Sequence, residues 1–221
     1  MSISRQHLGI AIMLGSVWGL SEAALGMGLH KCASVASGSI MTGVALFFIA
    51  AGWSAVRRVW PVLLVVAISG AMKLFDAFLL SLPVRDGAVA NPIFAFVAEG
   101  AVFLVLALMW KGSAVRKRAG QAVLGGASAL VAVGLFPLVK FVTGIPACVY
   151  AGTRIPLSWY FAPLAVAVSL FTVPLGYFAG EKLGSIAHEF DVSQRRRIIA
   201  NLVSPATFVL CLIVVALIRL I

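Results

Sequence analysis

The sequence predicts an all-α fold: a polytopic integral membrane helix bundle of about seven transmembrane helices. Three observations predict it. Of 221 residues, 62% are hydrophobic and 11% charged, with a mean hydropathy of +1.09; soluble domains are roughly half apolar and about a quarter charged. The apolar residues fall into runs near the roughly 20 residues that a membrane-crossing helix needs. Most of the Lys and Arg residues lie between these runs. A chain this apolar cannot cover itself with polar surface, so lipid has to be its solvent.

The seven expected spans are 7–29, 34–55, 60–83, 92–110, 120–143, 157–179 and 199–220. The first carries Glu22 and is followed by His30-Lys31-Cys32 rather than a small-x-small cleavage site, so it reads as a retained helix. Short connections follow: Arg57-Arg58, then Arg85-Asp86-Gly87, with Asn91-Pro92 expected to open the fourth helix. Lys111 to Arg118 forms a basic loop. The Gly/Pro-rich 144–156 is irregular, and Pro137 is expected to kink the fifth span. Residues 180–190 place Leu183, Ile186, Ala187 and Phe190 at helical spacing, as in an amphipathic helix on the inner membrane surface. The chain thus reads as one transmembrane domain: a six-helix unit at about 7–180, an amphipathic linker at 181–197, and an extra helix at about 199–220.

The net charge of +10 would suggest nucleic acid in a soluble protein, but short basic loops between apolar runs follow the positive-inside rule instead. Eleven of the 17 Lys and Arg residues fall on the side of the N-terminus and the even-numbered loops, and four on the other. This predicts a multi-pass protein of the cell membrane, N-terminus inside and C-terminus outside.

Glu22, Lys73, Asp76, Glu99 and Lys140 fall within the spans. Each charge near a helix centre costs about 2.5–3.5 kcal/mol on insertion scales. Unpaired, the five would cost on the order of 12–17 kcal/mol, comparable to the stability of a whole domain. They must pair inside the bundle, line a hydrated cavity, or be held neutral. Counted along the helices at about 1.5 Å per residue, all but Lys73 lie in the outer half. Lys73 and Asp76 are i,i+3 neighbours and can pair on one helix. Two readings stand: a polar pocket opening outward, with Glu22 and Glu99 as the foremost solute ligands, or a purely structural ion-pair network.

No phosphate loop, zinc-binding His-Glu pattern or nucleophile constellation occurs, and an enzyme is not expected; nor is a cofactor. There are three cysteines. Cys32 and Cys148 fall on the outer side, where they can form a disulfide, join His30 at a soft metal, or do neither. His188 and Glu189 are adjacent on a helix and so do not face each other. Cys211, in an apolar span, reads as packing.

Ala11, Gly15, Gly19 and Ala23 recur every four residues in the first span, a small-xxx-small ridge that lets another helix approach closely. The ridge, the six-helix unit and the outer polar groups together resemble the substrate-binding S component of an energy-coupling-factor transporter. The resemblance implies that these four residues contact an energy-coupling membrane subunit, that ATPase partners supply the energy, and that the solute sits near Glu22, Asp76 and Glu99. The seventh span has no counterpart in that family. Expected partners are therefore the lipid bilayer, a small solute and coupling subunits, or, for an accessory subunit, the other members of a membrane complex.

Overall fold

The computed structural model describes residues 5–26, 35–110, 115, 117–192 and 194–220, with side chains not described at 26, 35 and 188–201. The helices are α1 (Arg5–Gly26), α2 (Val35–Val56), α3 (Val59–Leu79), α4 (Gly87–Met109), α5 (Arg118–Leu135), α6 (Val139–Thr143), α7 (Leu157–Val192) and α8 (Gln194–Leu220). Seven segments are long and apolar enough to cross a membrane, α5 and α6 together forming one of them. The chain is an all-α polytopic bundle.

Two departures from the expected elements have clear causes. α4 begins five residues earlier than the Asn91-Pro92 signal suggested. The Asp86 carboxylate accepts from the Ala88 N–H at 2.8 Å, a side-chain N-cap, and Pro92 then lies just inside the helix. The amphipathic segment after the sixth span is not a separate surface helix: its residues extend α7 to Val192, and α8 starts two residues later. The Glu181 carboxylate on that extension accepts from the Arg57 guanidinium at 2.9 Å. His188, Glu189 and Arg195 to Arg197 lie where side chains are not described. Pro137 does break the fifth span, through a 3₁₀ turn at Phe136–Leu138.

The helices pack as two groups joined by α4 and by direct contacts of α2 with α1 and α3. In one, α7 lies along α2 and α5; in the other, α1 lies against α3 and α8. The α2–α7 seam is made by glycines. Gly176, Gly180 and Gly184 recur every four residues, facing the carbonyl oxygens of Phe47, Ala51 and Ala55 on α2. Hydroxyls bind across the same seam, Ser39 donating to the Phe161 carbonyl at 3.0 Å and Ser54 to that of Tyr177 at 3.1 Å. Small residues and such hydrogen bonds substitute in lipid for the hydrophobic drive that water would supply.

The ridge on α1 is buried within the chain. A Cβ on Gly19 would stand 2.6 Å from the Met72 Cβ, and one on Gly15 2.8 Å from the Ile68 Cβ. Both partners belong to α3. Ser69 on α3 donates to the Gly15 carbonyl at 3.0 Å, and Ala11 and Ala23 are buried. Gly15 and Gly19 hold α1 to α3, and the ridge is covered by helices of the chain itself. Gly19→Leu is expected to destabilise the protein by about 1–3 kcal/mol through overpacking, read as a lower Tm of the purified protein.

Candidate functional site

A cavity of about 910 Å³ opens at the end of the bundle where α1, α3 and α8 finish and α2, α4 and α7 begin. Its wall is largely apolar, with Met41, Phe96, Phe136 and Phe161 among the lining residues. Four helices bring five charged groups into it: Glu22 from α1, Lys73 and Asp76 from α3, Glu99 from α4 and Arg219 from α8.

Asp76 is the best-satisfied of these. Its carboxylate accepts from Arg219 Nε at 2.6 Å and Nη2 at 3.0 Å, and from Lys73 Nζ at 3.4 Å. The remaining Arg219 reach goes to the Ala23 carbonyl, 3.3 Å away. The bidentate fork is the strong form of this pair. Asp76 is 2% exposed, so water does little to weaken it.

Glu22 and Glu99 are arranged differently. They are 2% and 5% exposed and close enough for their charges to interact. Thr42 on α2 hydrogen-bonds Glu99, and Lys73 lies within electrostatic reach of Glu22. Glu22 Oε2 is buried without a hydrogen-bond partner. Two further oxygens on the cavity wall share that condition, Asn91 Oδ1 and Ser158 Oγ.

Four of the five charges expected to converge therefore line one cavity. Lys140 does not: it is exposed and absent from the wall. The 3₁₀ turn restarts the helix at Val139, which is fully buried; the next residue, about 100° round, points out. Arg219 takes the place expected of Lys140. By sequence it belongs with the outer-side charges, because it stands at the end of the last apolar run, yet the last turn of α8 carries it back over Asp76. Asn91, Thr42 and Ser158 were not expected either; polar residues this common give no sequence signal of their own.

Cys148 also lines the cavity and is disulfide-bonded, while Cys211 is free and buried. A disulfide sulfur is not a thiolate ligand, so the metal alternative fails at Cys148. His30 and Cys32 lie outside the described residues. Among the described residues, no three His, Cys, Asp or Glu side chains gather as a metal site. Cys148→Ser is expected to cost about 2–4 kcal/mol, seen as a lower Tm that a reducing agent does not lower further.

No family model, curated protein or solved structure matches the chain.

Proposed function

We propose that this chain is the solute-binding subunit of a membrane transport system, taking a small polar or ionic solute from outside into the cavity. The observation that carries the reading is the buried, unpartnered Glu22 oxygen on the wall of an open cavity of about 910 Å³. A carboxylate oxygen left without a partner in such a place costs free energy, of order 1–3 kcal/mol, and a bound solute can recover it. Four acidic and two basic groups on one wall exceed what a single structural pair needs.

The proposed orientation puts the N-terminus inside the cell membrane and the cavity outside. Arg57, Arg58, Lys117 and Arg118 sit at the end away from the cavity, in accord with the positive-inside rule. The Cys148 disulfide at the cavity end suits an oxidising exterior. The sequence has no ATP-binding motif, so ATP-driven uptake would require a coupling partner. Because α1 uses its ridge on α3, a coupling subunit of the energy-coupling-factor kind would have to dock elsewhere.

A second reading, an accessory subunit whose charges are structural, draws on one observation: Arg219, Asp76 and Lys73 satisfy one another. A solute screen by thermal shift on the purified protein separates the two. Solute binding predicts that at least one compound raises Tm, and that Glu22→Gln or Glu99→Gln removes this rise with a small change in basal Tm. If no compound raises Tm and both variants lower basal Tm, the accessory reading replaces it.

A further inference from the structure

The charges in the cavity do not balance. Lys73 and Arg219 face Glu22, Asp76 and Glu99 deep in the pocket, with the half-buried Asp86 at the mouth already engaged as the α4 cap. Arg219 and Lys73 are committed to Asp76. Glu22 then has Lys73 only at a distance and the Trp18 indole N–H beside it, and Glu99 has the Thr42 hydroxyl and the neighbouring carboxylate. Neither Glu22 nor Glu99 has a cation of its own, so the two carboxyls carry an uncompensated negative charge whenever they are ionised, and a cation bound between them favours that form.

The orphaned atoms point the same way. Asn91 Oδ1 and, in the carboxylate, Glu22 Oε2 only accept hydrogen bonds, and Ser158 Oγ can accept or donate one. One orphaned donor, Trp18 Nε1, stands beside Glu22, so acceptors on and next to the wall outnumber donors. They also stand at two depths. Asn91 is the fifth residue of α4 and Ser158 the second of α7, near the mouth. Glu99 lies eight residues further along α4, about 12 Å deeper at 1.5 Å per residue. Between them are Phe96 and Phe161, whose ring faces favour cations and apolar groups.

We propose that the cavity takes a protonated organic amine: an ammonium group at Glu22 and Glu99, an apolar body against Phe96 and Phe161, and a hydrogen-bond donor toward Asn91 and Ser158. An ammonium group supplies three N–H donors and one positive charge, which answers Glu22 Oε2 and the paired carboxyls; the second donor answers Asn91 and Ser158. A metal ion answers the charge but finds no three-ligand cluster among the described residues. A free carboxylate or phosphate would add to the repulsion. This inference rests on the solute-binding reading and narrows it to one class.

The test uses three probes of matched shape at pH 7: tyramine, its neutral counterpart tyrosol, and the anion 4-hydroxyphenylpropionate. Binding to the full chain in detergent or nanodiscs is measured by thermal shift and calorimetry. Tyramine should bind at least tenfold more tightly than either of the others. Glu99→Gln and Glu22→Gln should each weaken tyramine at least tenfold and leave tyrosol unchanged, whereas Lys140→Gln should alter neither. Where a variant does not fold, the wild-type protein gives the same information: tyramine affinity should fall as pH is lowered from 8 to 4, because protons compete for the carboxylates. Tyrosol or the anion binding as tightly as tyramine overturns the amine class but leaves a solute cavity standing. Tyramine affinity independent of pH and of both carboxylates overturns it too. No binding by any of the three probes also overturns it, whereas the broader reading fails only when the full solute screen is empty.

Discussion

Gly180→Leu should abolish the folded bundle. The Cα of Gly180 lies against α2 with no room for a side chain: even a Cβ would run into the Ala51 carbonyl and the Ser54 hydroxyl. The obstacle is backbone, so no rotamer change relieves it. Gly176 and Gly184 hold the same seam one turn away on either side, so the helices cannot tilt apart at Gly180 alone. Separating them would also remove the Ser54 bond to the Tyr177 carbonyl, in a setting where water does not replace it. Overpacking alone costs about 1–3 kcal/mol, occasionally more; here about 3 kcal/mol or more is expected, enough to leave little monodisperse protein on size exclusion. Gly70→Leu is the matched control, because nothing stands within 4 Å of a Cβ there. Equal yield and Tm for the two variants would refute the seam.

Asp76→Leu should be almost as damaging, for an electrostatic reason. It leaves Lys73 and Arg219, with side chains 13% and 12% exposed, as two cations without their shared anion. Breaking a buried pair on one side costs about 3–5 kcal/mol, mostly from the charge left behind. Arg219→Met in the same chain should then recover part of the loss. Lys73 can extend its stem toward the membrane surface and take its charge with it. A double variant with a Tm no higher than that of Asp76→Leu alone would rule out the Arg219–Asp76 fork.

Patterns that depend on one helix alone were readable from the sequence. The seven spans follow from apolar run length, and Pro137 marks its break because a missing N–H acts locally. Glu22, Lys73, Asp76 and Glu99 were recognisable because a charge inside an apolar run has so few tolerable places. Lys140 obeyed the same rule, but its direction depends on the helical phase after the 3₁₀ turn, which spacing does not reveal. Arg219 was hidden by its position at the edge of a span, where a charge costs little and so signals little. The α1 ridge announced close packing but could not name its neighbour, and the neighbour is α3. The Gly176, Gly180 and Gly184 repeat is just as regular and forms the tighter seam. It straddles the expected end of the sixth span, where glycines read as a boundary.

The Arg219–Asp76 fork joins groups 143 positions apart in the chain, and the ribosome makes them in that order. At about 5–20 residues per second, α3 waits roughly 7–30 s for its guanidinium. During that interval a lone aspartate would weigh against the helix entering the bilayer. Lys73, one turn away on the same helix, is present from the start and can serve as its first counter-ion. The Lys73–Asp76 contact, long at 3.4 Å in the finished bundle, would then let α3 insert as a nearly neutral segment, until α8 arrives and takes over the carboxylate.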